Sequence, residues 1–254
     1  MPEKDAVDWY DANADQFTGT MVDIPLIESV VWPGVQSLLP VLTDRRVLDA
    51  GCGDGTYTAQ LSQQGADVIG VDASKELLEI AQAEYGDEIE FHHADLRDPL
   101  EFLADASIDA IVSQLALDHI EDWQPIFEEF SRVLKPGGSL VLAVHNPPAV
   151  YGKIESDAEA EEQFELASPS YFEIEPWSEL WSTSDGEKQS VQKYRRPLTA
   201  QVNAAFQAGF TMDGLVEPTP TEAYKQGDPH QSYESVIQRP PIFICYRFRK
   251  PESG

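Results

Sequence analysis

The sequence predicts an α/β fold built on a parallel sheet with helices on both faces. Three observations lead there. From residue 46 to residue 145, short apolar runs alternate with stretches of helical periodicity. The first apolar run passes directly into a glycine-rich turn, Asp49-Ala50-Gly51-Cys52-Gly53-Asp54-Gly55, and then into a helix. The second, Val68–Val71, ends on another carboxylate, Asp72. Strands separated by a helix of this length pair through crossovers, which makes them parallel.

The elements follow in order. Residues 5–39 read as helical: Val7, Tyr10, Ala14 and Phe17 fall at helical spacing, and Ile24–Leu39 continues with a break at Pro33-Gly34. Arg46–Ala50 is the first strand, and Thr56–Gln64 a helix that Gly65 ends. Val68–Val71 is a strand, Lys75–Tyr85 a helix stopped by Gly86, and Ile89–His92 a strand. Ile108–Ser113 is the fourth strand and Trp123–Leu134 a helix. Lys135-Pro136-Gly137-Gly138 makes a sharp turn into the fifth strand, Ser139–His145. The pattern then changes. Residues 147–196 open on Pro147-Pro148 and carry an acidic, helix-like run at Glu155–Glu165. Two β-like runs follow, Ser178–Thr183 and Ser190–Arg195, joined by Ser184-Asp185-Gly186-Glu187, a hairpin signal. A helix at Thr199–Ala208, a strand at Phe210–Val216, a polar loop over 217–240 and a last strand at Ile242–Phe248 resume the sheet. The organisation expected is an N-terminal helical cap over 1–40, a core over 41–146 and 197–254, and an inserted cap over 147–196.

The glycine turn carries the strongest chemical signal. Glycines let the backbone turn sharply and approach a ligand, and the helix beyond presents free N–H groups. Three alternating glycines behind an acid exceed what a bare turn requires. Asp72, 21 positions after Gly51, stands where a carboxylate accepts both hydroxyl hydrogens of a ribose, and Ser74 is the better helix N-cap. The spacing is G-x-G-x-G with Thr56 next, which departs from the G-x-G-x-x-G of dinucleotide sites.

Val47-Leu48-Asp49-Ala50-Gly51-Cys52-Gly53-Asp54-Gly55-Thr56 resembles the first motif of class I S-adenosylmethionine-dependent methyltransferases of the small-molecule type. The resemblance covers residues 46–146 and, more loosely, both flanks. It implies a Rossmann-like, seven-stranded, mostly parallel sheet whose last strand is antiparallel, with N-terminal helices and an inserted cap. It implies S-adenosyl-L-methionine as cofactor, held by Asp49, Gly51, Gly53, Gly55, Asp72 and Ala73. Asp95 would face the adenine amino group, and Leu96 would offer a backbone N–H to the ring. Gln114 and Leu115 lie at the end of the fourth strand, where cofactor and acceptor meet. Tyr10, in Trp9-Tyr10-Asp11-Ala12-Asn13-Ala14, would close over the methionine end. His92-His93 suggests no metal site, because adjacent strand residues point to opposite faces.

The family has no shared catalytic residue, since its cofactor carries an already activated methyl group. His119 and His145 are the candidate bases; His119 reads equally well as a packing or capping histidine, and His145, at the end of the fifth strand, also as an acceptor contact. Asn146, Tyr171, Trp177 and Tyr194 are acceptor candidates, with Tyr151, Phe164, Phe172 and Trp181 as further aromatics of the insertion. These read either as a lid over a small acceptor or as packing of the insertion onto the sheet. Asn146-Pro147-Pro148 resembles the motif of adenine methyltransferases but follows the fifth strand instead of the fourth, and Ala149 offers no ring. A nicotinamide-dependent oxidoreductase and a non-catalytic S-adenosylmethionine-binding protein are the alternatives.

Composition bounds the partners. The 254 residues carry 17 Lys and Arg against 45 Asp and Glu, a net charge of −28. Such a surface repels nucleic acid and anionic membranes. Acid excess spread along the chain, with few lysines, also resembles the proteins of salt-loving organisms. Two distant cysteines, Cys52 and Cys245, form neither a disulfide framework nor a zinc cluster. The polar N-terminus is no signal peptide, and no apolar run spans a bilayer. The expectation is a cytoplasmic monomer or homodimer acting on a small-molecule acceptor, without metal, nucleic acid or membrane.

Overall fold

A computed structural model describes residues 6–20, 27–155, 163–166, 171–182, 188–221 and 241–252. The expected turn at Ser184–Glu187, most of the 217–240 loop, Ile24, and the side chains of Phe17, Tyr151, Phe164 and Trp181 lie outside what is described.

The chain begins with helix α1 (Ala6–Thr20), a π-helical turn (Ile27–Val31) and helix α2 (Trp32–Leu38). Strand and helix then alternate: β1 (Arg46–Ala50), α3 (Thr56–Ser62), β2 (Asp67–Asp72), α4 (Lys75–Tyr85), β3 (Glu90–His93) and β4 (Ile108–Gln114). A 3₁₀ turn (Leu117–His119) leads to α5 (Gln124–Val133) and β5 (Leu134–His145). The insertion comprises α6 (Pro147–Tyr151), a β6–β7 pair (Gly152–Glu155, Gln163–Leu166) and a β8–β9 pair (Glu175–Ser182, Lys188–Arg195). Helix α7 (Leu198–Gln207), β10 (Thr211–Val216) and β11 (Phe243–Arg249) complete the core.

Seven strands form one sheet in the order β10-β11-β5-β4-β1-β2-β3. Six run parallel, and β11 runs antiparallel to both neighbours. Alternation along each strand feeds two buried layers. Leu48, Ile69, Ile111 and Phe248 share one layer with Phe127 and Phe130 of α5, while Val47, Val68 and Val112 share the other with Val35, Leu38 and Leu61. Strand order reverses between β1 and β4, so the crevice at their carboxyl ends is the natural ligand site of the sheet.

Three local expectations need correction. Pro33-Gly34 does not break a helix; both lie in the first turn of α2, where a proline's missing N–H has no partner to lose. Lys135-Pro136-Gly137-Gly138 is a bulge inside β5, not a turn before it. Ile108 pairs with Leu134 and Ala110 with Ser139, so the extra residues loop out. Lys250 holds them through Gly137 N to Lys250 O and Lys250 N to Gly138 O, both 2.9 Å. The helix-like run at Glu155–Glu165 begins and ends in strand, with Gly152–Glu155 antiparallel to Gln163–Leu166. Residues 156–162 of that run lie outside what is described. Helix α1 bends at Asn13 (φ −127°, ψ 17°), whose side-chain amide donates to Trp9 O at 2.7 Å.

Candidate active site

The carboxyl ends of β1, β2, β4 and β5 open into a cavity of about 370 Å³. The β1 turn forms its floor. Gly51, Gly53 and Gly55 have φ of 83°, 55° and 79°, which L-residues with side chains rarely adopt. Gly51 N and Cys52 N donate to Val71 O at 2.8 and 3.0 Å, folding the turn over β2. A Cβ on Gly51 would sit 2.2 Å from Ala116 Cβ, so the turn and the β4 end touch there. Gly55 does not line the cavity. It precedes α3, and a Cβ there would meet Ala81, Tyr85 and Phe91.

Two acids frame the floor. Asp72 accepts from Gly53 N through Oδ2 and from Ser74 N through Oδ1, both at 2.8 Å. One carboxylate thus ties the glycine turn to the β2–α4 turn while lining the cavity. Burial raises its pKa, against the pull of those N–H groups. Ser74 caps α4 by accepting from Leu77 N. Asp49 is buried beneath the turn and accepts from Thr58 Oγ1 at 2.7 Å; burial pushes its pKa up to about 7. Asp95 reaches the same cavity, with its carboxylate held by the backbone N and guanidinium of Arg97. Ala73 and Leu96 complete that wall. Cys52 is a buried free thiol whose pKa burial raises. His92 and His93 diverge as strand geometry requires. The first stacks on Phe102 and the second donates to Ala73 O.

The end of β4 bears two signs of a binding site. Leu115 has φ +59°, a strained conformation for a leucine, and its N donates to Ala143 O at 2.8 Å. Gln114 Oε1 is buried in the cavity wall with no hydrogen-bond partner among the described residues. A buried acceptor left without a donor is costly, and a ligand N–H or O–H would satisfy it.

Opposite the floor stand the histidines. The carbonyl of Gln192 can only accept, so His119 Nδ1 carries the proton it donates there at 2.9 Å. Nε2 is then the bare nitrogen, and it accepts from the Tyr10 hydroxyl at 3.1 Å. Burial, reinforced by the charge of Lys193, lowers the His119 pKa to about 4, and burial raises that of Tyr10. His145 Nδ1–H and its backbone N–H both donate to Asp118 Oδ2, at 2.7 and 3.0 Å. Burial pushes the Asp118 pKa up, but His145 and Lys193 outweigh it and hold that carboxylate below its usual value. Gln201 Nε2 fixes the β5 end by donating to His145 O, and Tyr246 donates to Gln201 Oε1.

The acceptor candidates part company here. Asn146 does not face the cavity with His145. Adjacent strand residues diverge, and its amide donates to Glu217 Oε1 at 2.9 Å. Tyr171 is turned away as well, accepting from Leu198 N at 3.2 Å and packing on exposed Phe172. Tyr194 lines a neighbouring cleft of about 520 Å³, which shares His119 and Ile120 with the cavity. Trp177 stands edge-on to His145, ring centres 6.0 Å apart. The insertion's direct contributions are instead Glu179 and Lys193, which line the cavity as an ion pair on the β8–β9 pair. Sequence reasoning missed both, along with Asp118, Tyr57 and Phe243. The signal for Lys193 was a lysine between Val191 and Arg195 on one strand face in a chain with only eight lysines. Among the described residues, no group of His, Cys, Asp and Glu has the makings of a metal site, and no helix is long and apolar enough to cross a membrane.

Comparison with known proteins agrees with this geometry. Residues 48–142 match the family model described as "Methyltransferase domain". A demethylmenaquinone methyltransferase of Clavibacter sepedonicus is 35% identical over 118 residues, 45% of this chain and 46% of that protein. The chain thus aligns with about half the length of that curated relative. An S-adenosylmethionine-dependent methyltransferase structure from Mesorhizobium loti shares 26% identity and a TM-score of 0.69 over 86% of this chain and 96% of that one. A Listeria monocytogenes structure described in the same terms superposes with a TM-score of 0.72 at 24% identity, over 87% and 96% of the two chains, and supports the fold. Residues 48–142 therefore match a methyltransferase domain, set in a fold that the chain shares with S-adenosylmethionine-dependent methyltransferases of known structure.

Proposed function

We propose that the enzyme methylates a small organic acceptor seated between the glycine floor and His119. One observation carries this reading: a single cavity unites the glycine turn, Asp72, Asp95 and the unpartnered Gln114 oxygen with a neutral, buried histidine. Asp72 has lone pairs beyond those its two N–H donors use, and these suit ribose hydroxyls. Asp95 and the Leu96 N–H suit an adenine edge. Tyr10 suits the methionine end, with Asp49 below as counter-charge to an amino group. When bound, S-adenosylmethionine supplies a methyl group on a cationic sulfur.

The chain's residues have three tasks. Val7, Ile27, Ile120 and Phe243 give the cavity apolar walls that exclude water. Tyr10 and the β8–β9 pair hold the acceptor in line. His119 Nε2 takes the proton of an acceptor hydroxyl that replaces the Tyr10 O–H at 3.1 Å. The insertion over 147–196 acts as the acceptor cap and residues 1–40 as the cover of the cofactor. The acid surplus reads as salt adaptation and the setting as cytoplasmic, both on composition alone. The test is methyl transfer from labelled S-adenosylmethionine across a panel of small acceptors. His119→Gln should lower kcat at least 100-fold on a hydroxyl acceptor while leaving cofactor affinity within twofold. An unchanged kcat would remove His119 from the chemistry.

A further inference from the structure

His145 is the last residue of β5, which delivers it to the mouth of the cavity, where it is buried in the lining. Asp118, in the 3₁₀ turn after β4, is buried behind it. One oxygen, Asp118 Oδ2, accepts from the ring at 2.7 Å and from the backbone N–H of His145 at 3.0 Å. His145 and Lys193 hold that carboxylate below its usual pKa against burial, so it is ionised. An ionised carboxylate can only accept, so the ring proton on this side belongs to Nδ1, and Nε2 is the nitrogen left for the cavity. Nε2 makes no hydrogen bond among the described residues. The ring is held in this pose. Phe243 lies against it with ring centres 5.2 Å apart, Trp177 stands edge-on, and Gln201 fixes the backbone through His145 O. The cavity therefore has two positioned histidine nitrogens. His119 Nε2 meets Tyr10, and the two rings are close enough for their charges to interact.

We infer that the acceptor carries two hydroxyls, and that the second donates to His145 Nε2. The first gives its proton to His119 Nε2 as its oxygen gains the methyl group from sulfur. His145 touches the acceptor and selects it, while Asp118 is a positioning residue that acts through His145. The charges of the lining suit a neutral group: Asp72, Asp95 and Glu179 bring carboxylates to it, and Lys193 and Arg97 bring cations. An anionic oxygen at His145 would set an acceptor against an acceptor, whereas a hydroxyl supplies the donor that Nε2 lacks. A site built to bond a hydroxyl rejects the analogue without it, because its own buried acceptor is left unpaired. This rests on the cofactor reading above, since the acceptor must share the cavity with the methyl donor.

The test is calorimetry on the full-length protein at fixed salt and pH 8, in two stages. S-adenosylhomocysteine is titrated first; failure to bind would overturn the cofactor reading and this inference with it. Catechol and resorcinol are then titrated into the saturated protein against phenol, 2-methoxyphenol and 3-methoxyphenol, which lack the second donor. At least one diol should bind about tenfold more tightly than phenol and than its methoxy partner. His145→Phe should erase that preference, and His145→Gln, whose amide oxygen can accept in place of Nε2, should keep part of it, about threefold. Asp118→Asn should weaken the diol and leave phenol unchanged, whereas a merely structural role would weaken both. Circular dichroism reports that each variant is folded. Nitrogen-15 NMR of the wild type carries the test if a variant is not: the preferred diol should shift the Nε2 resonance of His145 while Nδ1 stays protonated. Equal binding of diols and methoxyphenols, a preference that survives in folded His145→Phe, an unmoved Nε2 resonance, or no binding of either diol would overturn the inference and leave the cofactor reading standing.

Discussion

His119 has its protonation state written into its contacts. The Gln192 carbonyl fixes the proton on Nδ1, and Tyr10 donates to Nε2. With burial and the Lys193 charge opposing a second proton, the ring is neutral at physiological pH, as a general base must be. The linkage has a definite sign. Its folded pKa, about 4, lies below the usual 6.5, so as pH falls the unfolded chain binds the proton first. The stabilisation is complete above pH 6.5 and declines by roughly 3 kcal/mol as pH drops toward 4. Nitrogen-15 NMR of the imidazole should show the Nδ1–H tautomer persisting at pH 6 and titrating near pH 4. Titration near 6.5 would mean the ring is open to solvent and the Tyr10 contact absent.

At the scale of elements, the glycine turn and the β4 end form one contact, with Gly51 against Ala116. Gly51→Ala places a Cβ at φ +83° and into that neighbour. The expected cost is about 2–4 kcal/mol, with loss of measurable cofactor binding, read by thermal denaturation and calorimetry. Undiminished binding would show that the turn relaxes freely. This turn was legible because its signal is local: three glycines between an apolar strand and a helix specify one geometry. So were β2, β4 and α4, whose period and stop signals lie within one short window. The Lys135–Gly138 bulge was not, because its register depends on β4 and on Lys250, 115 positions away. Pro33-Gly34 misled because the same residues that end a helix also open one. The cavity wall opposite the glycine turn was the least legible part. Lys193 and Glu179 become neighbours only through hairpin register, and Tyr171 and Asn146 face away for reasons visible only in their partners.

For the whole molecule, the net charge of −28 acts against compactness, since surface carboxylates repel one another. Salt shortens the reach of that repulsion to about 3 Å at 1 M. The midpoint of thermal unfolding should rise by at least about 5 °C between 0.1 and 2 M KCl, where a protein of this size gains about 2–4 °C per kcal/mol. A flat or falling midpoint would separate the acidic composition from salt adaptation. The sheet itself was readable from the sequence, because strand–helix alternation and the antiparallel last strand follow from pattern and family resemblance together. What that sheet positions is the glycine turn and Asp72, which ties two turns together and faces the cavity. Calorimetric titration of S-adenosylhomocysteine into the wild-type and Asp72→Ala proteins tests that placement most directly. The wild type should bind, and the variant should bind at least 30-fold more weakly while remaining folded by circular dichroism. Equal affinity in the two proteins would contradict the placement of the ribose on Asp72 and, with it, the orientation of the cofactor in the cavity.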